Sequence, residues 1–329
     1  MPELPEVETV CRGLRDTVIG KTITGITVNA PVSSIVVSKT FHPQDFVSVL
    51  TNRTILSADR RGKNILLGLS GGVTLWVHLK MTGHFHYDEQ LTTPEKHDLV
   101  IFRLVGGNST HLSLRGAESA VPSPAHTSLR SPKGAVALHT HLSLQGARSS
   151  ERRSNLALSF LRFNDYRRFG RLRLFRDEEL WQQEGLKELG PEPLEMSAKD
   201  FVSLAHRRAR MLKAALLDQS FVAGIGNIYA DESLWAARLH PKRLTTKIPA
   251  SKLRELHRHI QRLLRLAIRK AGTSVDSYSG VNGRPGSFQK YLKVYSREGL
   301  PCPRCTTEIV RRKVGSRSAH YCPRCQRVR

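Results

Sequence analysis

The sequence predicts an α+β protein made of successive parts, with strands first, helices second and a short cysteine-bearing tail last. Three observations carry this. Short β-rich runs broken by turn residues fill the first ~180 residues, helical periodicity takes over from about Ala198 to Gly272, and four of the five cysteines fall in the last 28 residues. A chain of 329 residues exceeds one typical core, so two or more domains are expected.

The opening MPELPEVETV starts a helix over about residues 3–18: Val7, Val10, Leu14 and Val18 recur at three- and four-residue steps, and Gly20 stands where a C-terminal cap belongs. Pro2, with Glu3 and Glu6 beside the positive end of the dipole, is ordinary helix-start chemistry. It also has a chemical reading, because removal of Met1 would leave Pro2 with a free secondary amine, a nucleophile near neutral pH. Cys11, alone in this helix, reads as a small core residue. The runs TITGITVNA, NILLGL, VTLWVHLKM and DLVIFRLV, then FLRFNDY and RLRLF, read as strands.

Between them, about 106–155 is rich in Ser, Gly, Ala and His and carries THLSLRGAESA and then THLSLQGARSS. Two copies are too few for a solenoid. The segment reads as an insertion without a fold of its own at the tip of a hairpin. The helical part contains FVSLAHRRARMLKAALLDQ, then NIYADESLWAARL ended by His240-Pro241, then SKLRELHRHIQRLLRLAIRKAG.

Lys plus Arg number 52 against 28 Asp plus Glu, giving a net charge of +24, so a polyanionic partner is expected and nucleic acid leads. No run approaches the apolar length that spans a bilayer, and no signal-peptide pattern opens the chain, so no membrane partner is expected and an intracellular location is. The cysteines cluster as in a metal site and not as in a disulfide framework.

CPRC at 302–305 and CPRC at 322–325, sixteen residues apart, match a tetrahedral four-thiolate zinc site of Cys302, Cys305, Cys322 and Cys325. Four thiolates leave no open coordination position, so one structural Zn2+ is expected. It would present RRKVGSRSAHY as a basic hairpin, with Gly315 at the turn and Arg317 projecting toward an anion. GIGNIYADES at 224–233 feeds a glycine turn into a helix, where backbone N–H groups and the Asn227 side chain suit a phosphate. Its bland reading is a tight turn. The basic run 206–210, with Arg208, and Lys213 beyond it read either as a solvated face or as a face toward DNA.

MPELPEVETVCRGL, RRGKNILL, HLKMTGHF, EKHDLV, DYRRFG, LGPEPL, GIGNIYADESLWAARLHP, NGRPGSF and the paired CPRC knuckles occur in this order. Together they resemble bacterial formamidopyrimidine-DNA glycosylases over nearly the whole chain apart from the insertion. The resemblance implies an N-terminal β-sandwich flanked by helices over 1–185, a helix-two-turns-helix DNA-binding domain over 186–295 and a zinc-ribbon hairpin over 296–329. It implies a monomeric bacterial cytoplasmic base-excision-repair enzyme that binds damaged double-stranded DNA and excises oxidised purines. In that family the Pro2 amine attacks C1′, a Schiff base forms, and β,δ-elimination cuts the strand. Glu3 matches the general acid and Glu6 a supporting carboxylate. Lys63 matches the lysine of β-elimination and phosphate contact, and Arg317 the arginine of δ-elimination, which with Asn227 would grip phosphates. His97, Arg167, Arg208 and Lys213 match or lie close to DNA-holding positions. Met81, Arg167 and Phe169 match a wedge that fills the gap left by the extruded nucleotide. The loop at about 273–288 resembles a lesion lid.

Two departures stand out. About fifty residues are inserted before DYRRFG, which puts the wedge residues Arg167 and Phe169 at issue, and Tyr166 stands where the family commonly has Pro. A tenfold longer tip loop costs only about 2 kcal/mol in closure entropy, so an insertion confined to the tip would leave the wedge intact. Two other readings compete: an endonuclease VIII-type enzyme for oxidised pyrimidines, and a non-catalytic damaged-DNA-binding zinc protein. PELPE in place of PEGPE favours the purine enzyme.

Overall fold

The computed structural model describes residues 1–29, 41, 43–90, 93–106, 157–274 and 280–328. Most of the insertion expected at 106–155 lies outside these residues, as does the middle of the expected lid.

Helix α1 (Leu4–Val18) forms where the apolar spacing predicts it, with Gly20 in the left-handed region at φ 79° just past its end. Among the described residues eight strands follow in two antiparallel sheets. One has the order β1 (Thr22–Val28), β6 (Asp98–Val105), β7 (Leu158–Asn164), β5 (His84–Asp88); the other has β2 (Ile55–Arg61), β3 (Asn64–Leu69), β4 (Val73–His78), β8 (Arg171–Arg176). Alternate side chains from both sheets, such as Phe102 and Phe163 from one and Leu67 and Leu174 from the other, share one core with Val7, Val10 and Leu14 of α1. This is the expected sandwich. Strands β2 and β5 did not stand out in the sequence, since ILSADRR and HFHYD carry too many polar residues to read as buried runs. β6 and β7, the strands on either side of the insertion, pair directly, Val105 opposite Leu158. The insertion therefore joins adjacent antiparallel strands, and the returning strand keeps its register.

The short helices α2 (Phe46–Leu50) and α3 (Asp177–Leu180) flank the sheets. A second core gathers α4 (Ala198–His206), α5 (Leu212–Leu217), α6 (Asn227–Ala236) and α7 (Ala250–Arg269). Leu4 of α1 packs here while Val7 and Val10 pack in the sandwich, so the first turn of α1 joins both cores. The basic run at 207–210 is not helical, contrary to its apparent continuity with FVSLAH and LKAALL. Thr245 breaks the helix there: its hydroxyl donates to Arg208 O (2.7 Å), and its N–H donates to Arg210 O (2.9 Å).

Helix α6 is the spine of the C-terminal half. Glu232, buried on it, accepts the backbone N–H groups of Lys293, Val294 and Tyr295 at 2.9–3.0 Å, fixing the approach to the zinc-ribbon hairpin β9 (Val310–Val314) and β10 (Arg317–Tyr321). Among the described residues no helix is long and apolar enough to cross a membrane.

Candidate active site

The start of α1 is inserted into the turn before α6. Leu4 N–H donates to Gly224 O (3.0 Å), and the Glu3 carboxylate accepts from the backbone N–H groups of Gly226 (2.8 Å), Ile228 (2.8 Å) and Tyr229 (3.3 Å). The glycines of GIGN serve this close approach. A Cβ on Gly226 would stand 2.3 Å from Glu3 Cδ, and one on Gly224, whose φ is already 91°, would stand 2.7 Å from Leu4. The backbone half of the phosphate reading of this turn is therefore corrected: the anion that these N–H groups meet at the N-terminus of α6 is the protein's own Glu3. Helix-end N–H groups favour any anion, and a carboxylate tethered in the same chain occupies them first.

Glu6 sits one turn on. Its carboxylate accepts from Glu3 N–H (2.8 Å), Tyr229 Oη (2.7 Å) and Thr273 N–H (2.8 Å), tying α1 to α6 and to the segment after α7. Burial pushes the Glu3 carboxyl up to about 7; Lys63 and the backbone donors oppose the rise and Glu6 adds to it. A carboxyl poised there can hold a proton at neutral pH. Pro2 is buried with Met1 in place, its nitrogen an amide, so the exposed amine expected from the sequence requires loss of Met1.

Lys63 follows Gly62 at the turn from β2 to β3 and is buried. Glu192 of LGPEPL pins this turn, accepting from Gly62 N–H (2.6 Å), Arg60 (2.8 Å) and Arg61 (3.2 Å). Burial lowers the Lys63 pKa and Arg317 lowers it further, while Glu3 and Glu6 act to raise it. These four predicted residues, scattered over the sequence, thus share one electrostatic site. Arg317 projects from the hairpin into a cavity of about 440 Å3 that Asn227, Arg311, Ser316 and Ser318 also line. Asn227 Oδ1 is buried there without a protein partner. Ser296, His320 and Glu298 line it too, and Glu298 pairs with Arg311 (3.5 Å), so the Arg317 guanidinium with the Asn227 carboxamide and the serine hydroxyls is the part that suits a phosphate.

Met81 (44% exposed) and Phe169 (48% exposed) stand out of the protein with Arg167, whose guanidinium lies 3.4 Å from Met81 Sδ and 4.9 Å from the Phe169 ring centre. Asp165, fully buried, builds this group. Its carboxylate accepts from Thr82 beside Met81, from Arg167 N–H (3.2 Å) and from Gly170 N–H (2.6 Å). Met81, Arg167 and Phe169 thus lie together, and the strands on either side of the insertion stay paired. His97 is partly exposed nearby, its ring 6.3 Å from that of Tyr166. Arg208 is exposed on the turn between α4 and α5.

Lys213 is a correction. It is 0% exposed, pairs with Asp231 (2.6 Å) and donates to the Ser318 carbonyl, so it does not face DNA. It holds the Arg317 hairpin instead. Cys11 is buried in the core, and burial pushes its thiol up to about 12, as befits an inert side chain.

Three family models match: the formamidopyrimidine-DNA glycosylase N-terminal domain over residues 1–117, the H2TH domain of the same enzymes over 189–279, and a zinc finger found in FPG and IleRS over 299–328. The formamidopyrimidine-DNA glycosylase of Pelotomaculum thermopropionicum is 38% identical over 332 residues, covering 100% of both chains. The chain belongs to the formamidopyrimidine-DNA glycosylase family. The enzyme of that name from Ligilactobacillus salivarius is 36% identical, again over 100% of both chains. Lactococcus lactis Fpg in complex with an abasic site containing DNA superposes with a TM-score of 0.77 at 29% identity, covering 99% of this chain and 100% of that one. A mutant of the same protein with a Fapy-dG containing DNA gives the same values.

The zinc finger typical of the family fits its donors. The four thiol sulfurs lie within 4.8 Å of one another, with Cys305 to Cys322 and Cys305 to Cys325 at 3.4 Å. Sulfurs tetrahedral around zinc at ~2.3 Å lie about 3.8 Å apart. Sequence reading missed the group behind this site: Trp235 Nε1 of α6 lies 3.4 Å from Cys302 Sγ, with Arg304 stacked 4.0 Å from the indole centre. Gln326 clamps the other knuckle, donating to Leu239 O (2.9 Å) and accepting from Cys322 N–H (2.9 Å). An N–H donor steadies a zinc thiolate, so Trp235→Phe is expected to lower zinc affinity about 10- to 100-fold in competition with a chromophoric chelator. Unchanged affinity would show that the indole does not support the metal. His78 is a second missed residue. Burial and then Lys80, Lys63 and Arg173 drive its pKa down to about 3, so beside Lys63 it stays a neutral acceptor.

Proposed function

We propose that this protein is a bifunctional DNA glycosylase and abasic-site lyase of base excision repair, acting on oxidised purines in duplex DNA. The observation that carries the reading is the convergence of the start of α1, Lys63 and Arg317 on one site. Once Met1 is removed, the Pro2 amine attacks C1′ and the base departs with a proton supplied by Glu3. The alkylated Pro2 nitrogen then gives up its proton, which passes by way of the vacated Glu3 carboxylate to the ring oxygen as the C1′–O4′ bond breaks; the oxygen stays on C4′ as a hydroxyl, and C1′ and nitrogen form an iminium, which acidifies C2′. Lys63 assists β-elimination, and Arg317 with Asn227 holds phosphate through δ-elimination. Met81, Arg167 and Phe169 fill the space of the extruded nucleotide. His97 and Arg208 contact the DNA backbone, and the segment around 273–288 covers the extruded base. Residues 1–185, 186–295 and 296–329 form the catalytic, DNA-binding and zinc parts of one monomer that works in the bacterial cytoplasm.

Borohydride should trap a covalent complex of the processed protein with an 8-oxoguanine·cytosine duplex, and peptide mapping should place the DNA on Pro2. Binding without a trapped adduct would overturn the enzymatic reading. An adduct elsewhere would overturn Pro2.

A further inference from the structure

Helix α7 carries Arg254, Arg258, Arg262, Arg265 and Arg269, at steps of four, four, three and four residues, which places all five on one face. All five are exposed, while Leu253, Leu256, Ile260, Leu264 and Ala267 bury the opposite face. At ~1.5 Å per residue the stripe is about 22 Å long. Its charge is not balanced. The one acidic residue of α7, Glu255, is engaged by Lys252 (2.7 Å) and His259 (3.9 Å). Among the described residues no carboxylate comes within 4.0 Å of any of the five guanidiniums, and of the five only Arg258 adds to the electrostatic lowering of Glu255; Arg265 meets Gln261 Oε1 (3.3 Å) and Leu194 O (3.5 Å).

Like charges three or four residues apart destabilise a helix by roughly 0.2–0.5 kcal/mol per pair, so this face opposes folding and calls for a partner. The partner is anionic and periodic. Four helical residues rise about 6 Å, near the ~7 Å spanned by two successive phosphate steps along a duplex strand. Arg254, His257 and Arg258 line a cavity of about 360 Å3, and the Nε2 of His257, a side chain only 5% exposed, has no protein partner. The stripe runs away from the site above. The chain past the end of α7 touches Glu6 through Thr273, so Arg269 stands at the near end, about 4–5 Å along the helix direction from Gly272, and Arg254 lies about 27 Å back from it.

We propose that this face is a second duplex-DNA surface, which holds a neighbouring DNA segment through its phosphates without reading sequence. It rests on the function proposed above. With one segment in the lesion site and another on α7, the enzyme would pass between duplexes without first dissociating.

The processed full-length protein is loaded on a long fluorescent undamaged duplex and chased with unlabelled duplex. The expected result is a release rate that rises with chase concentration, and a flat rate after all five arginines are changed to Gln. Bridging of two duplexes on beads should show a salt slope of about −4 to −5, from five phosphates at ~0.9 each, which the Gln variant loses. Changing the five to Lys should retain both behaviours. Concentration-independent release from the wild-type protein, equal release from the Gln variant, or loss with Lys would each overturn the proposal. A stripe that docks an acidic protein would give flat release throughout and overturn it as well. Borohydride trapping on a short lesion duplex should persist in every variant. Its absence from the wild-type protein would sink the proposed function instead.

Discussion

Glu3→Gln is expected to slow excision of an oxidised purine by about 10²- to 10⁴-fold, the usual worth of a positioned general acid. Cleavage at a preformed abasic site, where no base departs, should fall far less. Gln is not a silent isostere here. Gly226 and Tyr229 donate to one Glu3 oxygen and Ile228 to the other, so an amide nitrogen on either side faces at least one N–H group. The orphaned donor costs about 1–3 kcal/mol, read as a lower unfolding midpoint. The pH profile separates the two effects. With the carboxyl raised to about 7 by burial, single-turnover excision should fall as pH rises above about 7, and the Gln variant should lack that limb. The folded chain also holds a proton that the unfolded chain, with an ordinary value of 4.5, releases earlier. The stabilisation from this proton is complete below 4.5 and disappears as pH rises to about 7. Equal losses on lesion and abasic substrates, with an unaltered pH limb, would remove Glu3 from the role of acid.

What the sequence revealed were features whose cause is local. The apolar spacing of α1 gives a helix because its neighbours along the chain already form the stripe, and the CPRC knuckles give a metal site because each brings two ligands together. The hairpin around the insertion was legible because DLVIFRLV and FLRFNDY are each rich in β-branched, aromatic and other apolar residues, and nothing between them needed to be understood. Long-range partners were not legible. GIGN looked like an anion cradle and is one, but its anion comes from a residue 223 positions earlier, which no local pattern reveals. Lys213 looked like one more basic residue on a DNA face; only the fold places Asp231 and the Ser318 carbonyl around its ammonium. Nothing local marks Trp235 on α6, and its N–H acquires a purpose only when Cys302 is packed against it. Family resemblance supplied the role of Lys63, which residue pattern alone reads as a strand-end lysine, and decided between the helix-start and amine readings that the residues left open for Pro2.

Lys213→Met is expected to cost about 3–5 kcal/mol of stability, because it leaves the Asp231 carboxylate buried without its counter-charge. The pair is enclosed, with Lys213 0% and Asp231 1% exposed, so solvent screens little of the loss. Asp231 keeps the His320 N–H (2.9 Å) and approaches His320 Nδ1 (3.2 Å), which limits the damage without replacing the ammonium. Lys213→Met/Asp231→Leu should recover part of the stability, since no charge is then stranded, although the His320 N–H loses its acceptor at about 1–3 kcal/mol. A change in reaction products should accompany the change in stability. Lys213 and Asp231 hold the backbone at Ser318 and His320, on either side of Ala319 and next to Arg317, so loosening them frees the guanidinium from the phosphate cavity. Below the melting range, the single variant should therefore accumulate β-elimination product at the expense of δ-product, while trapping through Pro2 continues. Lys213→Arg keeps the charge but must fit a larger planar head into a fully buried site, so it should restore less than half of the lost stability. A single Met variant with wild-type unfolding and a wild-type product ratio would show that the hairpin is held elsewhere, by the zinc knuckles and Glu232 alone.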